Sequence, residues 1–419
     1  MKKTTKGIFT VGFILACLFN LPFKSFAQFT IFNTSNSGLP SNFVHASGMD
    51  SKNNLWIGTE GGLTKYTGTV WKTYNTTNSH ITANWVQTIE VVDTNEIWIG
   101  TRGFKPGLSL FNGDSIVRFD TINGSATPTD IYALKKDQSG NLWIGADYVT
   151  FKYDGVNLIN IGSNGPHYAN SFEIKNGILW VGTYGYGLYK YDGLTWTNYN
   201  MSNSGIPSNF VQKIAIDTSN NIWMGGYSGS SSNDKGLIKF DGTTWTNYNT
   251  SNSSIPRDPI FDIVIDSNEN LWIANGDGNN PGGLVKFNGT TFTLTNTSNS
   301  NLPTNIFLDL DIDNLGRLVL STYAYGICFY QLAIGINDIE PKNPLINVFP
   351  NPVLNHINIT TEQNSSQNSE IEIVNYIGQT VLRSPYANSI DVSKLNSGIY
   401  TLKVNTKDNQ SYYSKFVKE

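Results

Sequence analysis

Short apolar runs separated by clusters of Asp, Asn, Gly and Ser extend along the chain from Leu55 to Tyr330. Four such runs make up one unit, seen well in FVQKIAID, NIWMG, GLIKFDG and TWTNYNTSN from Phe210 onward. The runs are rich in β-branched and aromatic residues, and none shows the 3.6-residue apolar periodicity of a helix. The pattern therefore predicts four β-strands per unit, which we call strands A to D, and an all-β chain.

A tryptophan-centred tetrapeptide in strand B marks each unit. Its copies are LWIG at Leu55, IWIG at Ile97, LWIG at Leu142, LWVG at Leu179, IWMG at Ile222, LWIA at Leu271 and a degenerate LVLS at Leu318. From Trp56 to Val319, equivalent positions are spaced by 42, 45, 37, 43, 49 and 47 residues. A period of roughly 40 to 50 residues is typical of four-stranded propeller blades. The sequence therefore predicts a seven-bladed β-propeller.

Two kinds of tight turn separate the strands. The A-to-B connection reads Asp-x-x-x-Asn, as in Asp217 to Asn221, and Asx side chains bond their own backbone in such turns. The C-to-D connection is a Gly-containing turn, as in Asp192-Gly193. Strand B is almost continuously apolar, which a strand covered on both faces by neighbouring blades requires.

The two ends of the repeat array complement each other. The seventh unit supplies strands A, B and C up to Leu332 but lacks strand D, whereas Phe29 to Pro40 reads FTIFNTSNSGLP, like a D strand with its loop. We therefore expect the N-terminal strand to complete the last blade. Such closure removes free sheet edges from the ring.

The first residues predict export. Residues 1–27 have Lys2, Lys3 and Lys6 before an apolar run and end in Ser-Phe-Ala, which indicates a secretory signal peptide. The run is too short and wrongly flanked for a membrane span, so no transmembrane segment is expected in the mature chain. The alternative is a lipoprotein with its lipid on Cys17, although Leu15 stands where a small residue is preferred.

The periodicity ends after the propeller. We predict a propeller over 28–332, a proline-bearing linker over 333–347, and a second domain over 348–419. The short β-rich runs of the last segment predict a small Ig-like β-sandwich.

Composition narrows the chemistry. The net charge is −4, charged residues make up 14% of the chain, and there is no basic run, so nucleic acid is not an expected partner. The four histidines stand in separate regions and none lies in a nucleophile or metal motif. We therefore predict no cofactor, no metal, no catalytic residue that the sequence identifies, and a monomer. Removing residues 1–27 leaves one cysteine, Cys328, which we interpret as a buried apolar residue.

The blades resemble the two-component-regulator propeller repeats of Bacteroidota sensor proteins. That motif couples an Asp, an Asn, the LWIGT core and a following GL-x-x-Tyr/Phe, with strong copies at Asp50 to Tyr66 and Asp217 to Phe240. In those sensors the propellers are periplasmic and linked to a kinase. No kinase or transmembrane helix follows here, so the resemblance implies the fold and not signalling.

Five spaced elements follow one another in the tail, from Val348-Phe349-Pro350-Asn351-Pro352 to Lys415-Phe416-Val417-Lys418. In these elements and their order the tail resembles the type A C-terminal sorting domain of the Bacteroidota type IX, or Por, secretion system. The resemblance implies export across the outer membrane by the type IX machinery to the cell surface or the medium, with the propeller as cargo. The matching sorting-signal residues are Asn351, Pro352, Gly378, Asp391, Leu395, Gly398, Tyr400 and Lys415.

The B-to-C loops are the candidate binding sites, because they vary in length while the strands do not. We predict a shallow site there for a neutral extracellular glycan or polymer, bound by aromatic stacking; a protein ligand is the other partner considered. The alternatives are a propeller enzyme, lyase- or hydrolase-like, and a purely structural surface protein. The competing interpretation of the tyrosines is that they pack between blades. The candidate ligand-binding residues are Arg102, Tyr148, Tyr184, Tyr186, Tyr227, Tyr323 and Tyr325.

Overall fold

The computed structural model describes residues 29–103, 105–161, 165–229, 235–278, 281–331, 346–361, 369–375, 379–405 and 411–419. The predicted signal peptide, most of the predicted linker and Gly378 lie outside these ranges. The described residues fall into two compact units, one before and one after residues 332–345. Within these ranges the chain forms strands and turns without a helix, and hence without a helix that could span a membrane.

The first unit consists of four-stranded antiparallel sheets. Blade 1 comprises β2 (Val44–Met49), β3 (Leu55–Thr59), β4 (Gly62–Tyr66) and β5 (Trp71–Tyr74), and blade 2 comprises β6 (Trp85–Asp93), β7 (Glu96–Arg102), β8 (Leu108–Phe111) and β9 (Ile116–Phe119). A hairpin that the repeat did not predict, β10 (Thr121–Ile122) and β11 (Ser125–Ala126), follows blade 2. Blade 3 comprises β12 (Ile131–Lys136), β13 (Leu142–Ala146), β14 (Thr150–Tyr153) and β15 (Leu158–Asn160).

The remaining blades follow the same plan. Blade 4 comprises β16 (Ala169–Lys175), β17 (Ile178–Thr183), β18 (Leu188–Tyr191) and β19 (Trp196–Tyr199), and blade 5 comprises β20 (Lys213–Ile216), β21 (Ile222–Gly225), β22 (Leu237–Phe240) and β23 (Trp245–Tyr248). Blade 6 comprises β24 (Ile260–Ile265), β25 (Leu271–Gly276), β26 (Pro281–Phe287) and β27 (Phe292–Thr295), and blade 7 comprises β28 (Phe307–Ile312), β29 (Arg317–Thr322), β30 (Ile327–Gln331) and β1 (Thr30–Phe32).

The blades form a closed ring. Their A strands contact one another in the order β2, β6, β12, β16, β20, β24 and β28, and β28 contacts β2 again. Strands A are therefore innermost and strands D outermost. Because the strands are antiparallel, the B-to-C and D-to-A loops share one face, which we call the loop face, and the tight turns share the other. The predicted seven-bladed propeller is confirmed.

The repeated tryptophan of strand B packs against the next blade. Trp56 is fully buried, and its ring lies 4.7 Å from that of Phe111 in blade 2. Burying a large apolar side chain contributes roughly 1.5–3 kcal/mol. In each repeat, the tryptophan of strand B therefore contacts an aromatic residue near the end of strand C in the following blade. The equivalent pairs are Trp98–Tyr153, Trp143–Tyr191, Trp180–Phe240, Trp223–Phe287 and Trp272–Tyr330.

One aspartate fixes both the A-to-B turn and the orientation of the tryptophan. In blade 6, Asp266 Oδ1 accepts the backbone N–H of Asn268 and of Asn270, both at 2.9 Å, and Oδ2 accepts Trp272 Nε1–H at 2.9 Å. Burial disfavours the charged form of Asp266, but the bonds from Trp272 and Asn270 outweigh it and lower the pKa of Asp266. Equivalent bonds to the tryptophan come from Asp50, Asp137 and Asp217.

Asp266→Ala is expected to cost the propeller about 3 kcal/mol of unfolding free energy, because buried donors of Trp272 and Asn270 lose their acceptor. Since the pKa of Asp266 is lowered in the folded state, this contribution is present above the unfolded pKa and is lost as the pH falls below about 4. Asp192→Ala, in an exposed C-to-D turn where the carboxylate accepts only turn groups, is the control and should cost much less than Asp266→Ala. Equal losses in urea unfolding would contradict this role for Asp266.

The N-terminal strand closes blade 7, as predicted. Strand β1 pairs antiparallel with β30, with Thr30 opposite Phe329 and Phe32 opposite Ile327. Phe29 is buried and stacks on Tyr330 with ring centroids 4.9 Å apart. The first and last segments of the propeller thus belong to one sheet.

The second unit is a β-sandwich. One sheet contains β31 (Ile346–Phe349), β32 (His356–Thr361) and β35 (Ser389–Asp391), and the other contains β33 (Glu370–Asn375), β34 (Thr380–Pro385), β36 (Gly398–Asn405) and β37 (Ser411–Lys418). Ile357, Ile373, Leu402 and Phe416 form part of its buried core. Strand β31 begins at Ile346, so it includes the last two residues of the segment predicted as a linker, because the pairing with β32 extends to Thr361.

Candidate functional site on the loop face

Two B-to-C loops share the sequence Thr-Tyr-x-Tyr-Gly and the same conformation. Thr183 Oγ1 donates to the carbonyl of Gly187 at 2.6 Å, and Thr322 Oγ1 donates to that of Gly326 at 2.7 Å. Both glycines have positive φ, and a Cβ on Gly187 would lie 2.2 Å from the carbonyl oxygen of Tyr199. The glycine is therefore required for the loop to return beside strand D, and the two tyrosines before it are held on the loop face.

The first tyrosine of each loop packs against the following blade. Tyr184 meets Phe210 edge to face with ring centroids 4.9 Å apart, and Tyr323 meets Phe43 in the same way at 5.0 Å. Both side chains nevertheless keep large exposed fractions, 43% for Tyr184 and 50% for Tyr323. Each ring is thus positioned by an apolar contact on one side and open to solvent on another.

The second tyrosine is equally exposed, at 44% for Tyr186 and 48% for Tyr325. Tyr186 lies almost parallel to Tyr168, with centroids 6.0 Å apart, and its ring is 5.6 Å from that of His167. Tyr168 precedes strand β16 and was not singled out by sequence, because no B-to-C loop contains it.

Tyr148 joins the same aromatic group. Its ring lies 4.7 Å from that of Tyr168, and its side chain is 64% exposed. Tyr148 and Tyr168 both have positive φ, 65° and 49°, a conformation that is uncommon outside glycine and asparagine and that often marks functional sites. A hydrogen bond with Tyr148 and partial burial raise the pKa of Tyr168 to about 12. The tyrosines at 148, 168 and 186 therefore form one neutral aromatic group on blades 3 and 4.

The structure divides the six predicted tyrosines into three places on the loop face. Tyr148 and Tyr186 both contact Tyr168, whereas Tyr323 and Tyr325 lie at the junction of blades 7 and 1. The Tyr184 hydroxyl donates to the carbonyl of Ser228 at 3.1 Å, beside Tyr227, which packs on Phe261 at 5.3 Å.

Arg102 lies in an aromatic setting on blades 2 and 3. It pairs across the sheet with Trp85, and its guanidinium carbon is 5.4 Å from the Trp85 ring and 4.6 Å from the Tyr132 ring. Asp130 Oδ1 is 3.9 Å from Arg102 Nε, too far for a hydrogen bond. Arg102 Nε and Trp85 Nε1 are buried atoms without a hydrogen-bond partner among the described residues. Burial and a hydrogen bond with Asp147 raise the pKa of Tyr132 to about 12, so it stays neutral beside Arg102.

A histidine and a glutamate that are distant in sequence also meet on this face. His45 Nε2 is 3.3 Å from Glu60 Oε1, because the pairing of β2 with β3 places Val44 opposite Thr59. The His45 ring stacks on Trp85 at 5.4 Å, and only 9% of its side chain is exposed. Burial lowers the pKa of His45 against the opposing effect of Glu60, so the imidazole is neutral at pH 7.

Charged side chains occupy the middle of the inner strands, and the sequence analysis did not single them out. Lys213 Nζ lies 3.0 Å from Asp262 Oδ2 and 3.3 Å from Asp309 Oδ1, so one cation links blades 5, 6 and 7. Asp262 also accepts the backbone N–H of Leu310 at 2.7 Å, and Asp309 accepts that of Ser47 at 3.0 Å. These carboxylates satisfy N–H groups on the inner edge of strand A, which no further strand covers. The sequence feature that could have predicted this cluster is a charged residue within a mainly apolar A strand. The residues of this kind are Glu90, Lys135, Glu173, Lys213, Asp262, Asp309 and Asp311.

Asp311→Asn is expected to stabilise the propeller more near pH 8.5 than near pH 5. Burial raises the pKa of Asp311 to about 7, helped by Asp262 and Asp313 and opposed by Lys213 and the N–H of Ile312. A raised carboxyl pKa gives a contribution that is complete below the unfolded value and is lost as the pH rises through about 7. We expect a gain of about 2–4 °C in Tm near pH 8.5 and a clearly smaller gain near pH 5. Asp114→Asn, at an exposed turn, is the control; a gain independent of pH would contradict the assignment.

In the second unit, the sorting-signal residues shape the sandwich. Asn351 Oδ1 accepts Val417 N–H at 2.8 Å and Asn351 Nδ2 donates to the carbonyl of Lys415 at 3.2 Å, so this side chain bonds to the edge of β37. The buried Tyr400 ring stacks on Phe416 at 5.6 Å, and its hydroxyl donates to the Asn396 carbonyl at 2.8 Å. The other described members of this set also lie within the sandwich. Pro352 adjoins Asn351, and Asp391 accepts Ser393 N–H. Leu395 packs against the core, and Gly398 begins β36.

Two family models match parts of the chain. Residues 347–419 match the secretion system C-terminal sorting domain, and residues 38–61 match the two component regulator propeller. The chain carries a sorting domain and a regulator-type propeller repeat. Both predicted resemblances are confirmed. A comparison with curated proteins gave no match.

Solved structures with the propeller fold are similar to this chain. The extracellular domain of the putative hybrid two component system BT3049 from B. thetaiotaomicron gives a TM-score of 0.60 at 17% identity, covering 94% of this chain and 57% of its own. PorZ, a surface component of the type-IX secretion system of Porphyromonas gingivalis, gives 0.57 at 18%, covering 93% and 60%. Catalytically inactive virginiamycin B lyase from Staphylococcus aureus with quinupristin gives 0.56 at 10%, covering 73% and 99%.

The solved structures establish the fold, and the matched sorting domain establishes the destination. The identities are low, and the chain spans only 57% and 60% of the first two structures, so their activities belong to them. The regulator-type propeller with its sorting domain is handled by the type IX secretion system and reaches the cell surface.

Proposed function

We propose that this protein is a cell-surface binding module whose propeller holds an extracellular glycan or glycan-like polymer on its loop face. The observation that carries the proposal is a set of tyrosines that are about half exposed and yet held in place by aromatic contacts with the following blade. A tyrosine offers a flat apolar face and a hydroxyl at a low entropic cost, which suits a sugar ring.

The aromatic group at Tyr148, Tyr168 and Tyr186 is the main stacking site in this proposal, and Tyr323 with Tyr325 forms a second one. Two separated stacking sites on one face favour an extended polymer over a small molecule, since both sites can be occupied together and raise the apparent affinity. The tyrosines are uncharged, so stacking itself requires no charge on the ligand, in line with the neutral glycan predicted from sequence.

Two alternatives remain in competition with binding. A purely structural surface protein would be favoured by a loop face lined with Thr and Ser, and aromatic rings occupy this one instead. An enzyme is the second candidate, and the His45–Glu60 pair is the observation that favours it. The low exposure of His45 weighs against it, because a general base must reach the proton that it removes. Turnover of quinupristin that His45→Ala abolishes would support the enzyme.

Alanine replacement of Tyr186 or of Tyr325 is expected to weaken glycan binding about tenfold each, since an aromatic stacking contact is worth roughly 1–3 kcal/mol. Affinities for a saccharide selected on a glycan array would be measured by calorimetry. Leu194→Ala is the matched control, because Leu194 is 90% exposed but lies in a C-to-D turn on the opposite face. Undiminished binding by both tyrosine variants would refute the proposed site.

A further inference from the structure

Arg102 has an unusual combination of fixed orientation and unused donors. Its guanidinium is held against the rings of Trp85 and Tyr132, at 5.4 and 4.6 Å, so the plane of the cation is set before any ligand arrives. Its side chain is 32% exposed. A preorganised guanidinium loses little entropy when it binds, and its planar fork matches a carboxylate.

Two donors at this place lack acceptors. Arg102 Nε and the indole Nε1 of Trp85 are buried and without a partner among the described residues, and the two residues face each other across the β6–β7 pair. Because these two atoms are buried, a ligand reaches this place through the exposed part of the Arg102 side chain.

The acidic groups nearby are already engaged. Glu60 bonds His45 at 3.3 Å, and Asp130 accepts the N–H of Gly103 at 3.3 Å while lying 3.9 Å from Arg102. Their negative charges make the electrostatic potential at Arg102 less positive, but they do not occupy the N–H groups of its guanidinium. A singly charged carboxylate therefore fits better than a phosphate, which carries about −1.5 to −2 charges.

We infer that Arg102, held against Trp85 and Tyr132, forms a subsite for a carboxylate group of the bound saccharide, which makes a uronic acid the class of sugar recognised there. This inference rests on the proposed function, because the carboxylate belongs to the saccharide that the aromatic group is proposed to bind. It also changes the ligand predicted from sequence, which was a neutral glycan. Stacking on tyrosine requires no charge, but one positioned arginine is enough to select a sugar that carries a carboxylate. Arg102 is then a specificity-determining residue.

The test compares two ligands that differ only in the carboxylate. Short polygalacturonate oligomers and the same oligomers after chemical reduction of their carboxyl groups would be titrated into the chain lacking residues 1–27. Charge-assisted hydrogen bonds are stronger than neutral ones, so the parent is expected to prefer the acidic oligomers by about tenfold or more. Arg102→Met, which keeps an unbranched side chain between the rings, should bind both forms equally, and Arg102→Lys should retain only part of the preference.

Tyr186→Ala separates the subsite from the proposed function. It should weaken both forms alike while the preference for the acidic form stays. If Tyr186→Ala changes neither affinity but Arg102→Met still abolishes the preference, the stacking site fails and the carboxylate subsite stands. Equal binding of the two forms by the parent, binding of neither, or an unchanged preference in a folded Arg102→Met variant would overturn the inference.

Discussion

Deleting residues 28–34 is expected to lower the stability of the propeller by about 5 kcal/mol and its Tm by about 10 °C or more. The deletion removes strand β1, and with it the buried Phe29 and the half-buried Phe32, whose ring lies 5.5 Å from that of Trp71 in blade 1. It also leaves the backbone of β30 as an unpaired edge. Differential scanning calorimetry of the shortened and parent chains measures the effect.

A synthetic peptide of residues 28–34 provides the control for this deletion. Because the missing strand is a separable part of one sheet, the peptide should restore most of the lost Tm when added in excess. A peptide of the same composition in scrambled order should not. A shortened chain that melts at the parent temperature would show that blade 7 does not depend on β1.

Removing residues 347–419 is expected to abolish surface display almost completely in a host with the type IX secretion system. This segment is the matched sorting domain, and it forms a separate compact unit with its own apolar core. The truncated propeller should accumulate in the periplasm, because it keeps the signal peptide that the sequence predicts at residues 1–27. Protease accessibility on intact cells, followed by fractionation, distinguishes the two locations.

Point variants separate the fold of the sorting domain from its recognition. Tyr400→Phe removes the hydroxyl bond to Asn396 but keeps the stack on Phe416, so display should persist. Asn351→Ala breaks both bonds to β37 and should reduce display. Normal display of the truncated chain would contradict the assignment of this domain.

The strands and their order could be predicted from sequence because each repeat contains the residues that contact the neighbouring blade. Trp56 contacts an aromatic side chain near the end of the next C strand, and Asp50 accepts a hydrogen bond from the Trp56 indole within its own turn. Repetition of this local motif therefore predicts the complete circle of blades. Closure by β1 was also predictable, since its D-like sequence matched the missing element of blade 7.

The composition of the loop face was only partly predictable. Tyr184 and Tyr186 stand in a motif, but Tyr168 joins them from a D-to-A loop, and no spacing in the sequence relates residue 168 to residue 148. His45 meets Glu60 only through the register of a hairpin. The inner charges were overlooked because Lys213 pairs with Asp309, 96 residues away, across the ring.

The central claim is that the loop face binds a saccharide through its tyrosines. The most direct measurement is a glycan and protein array probed with the chain lacking residues 1–27 and with a variant in which Tyr148, Tyr186 and Tyr325 are alanine. We predict that the parent binds a set of related saccharides and that the variant, folded and with an unchanged Tm, loses them all. Binding of proteins only, or equal saccharide binding by both chains, would contradict the account.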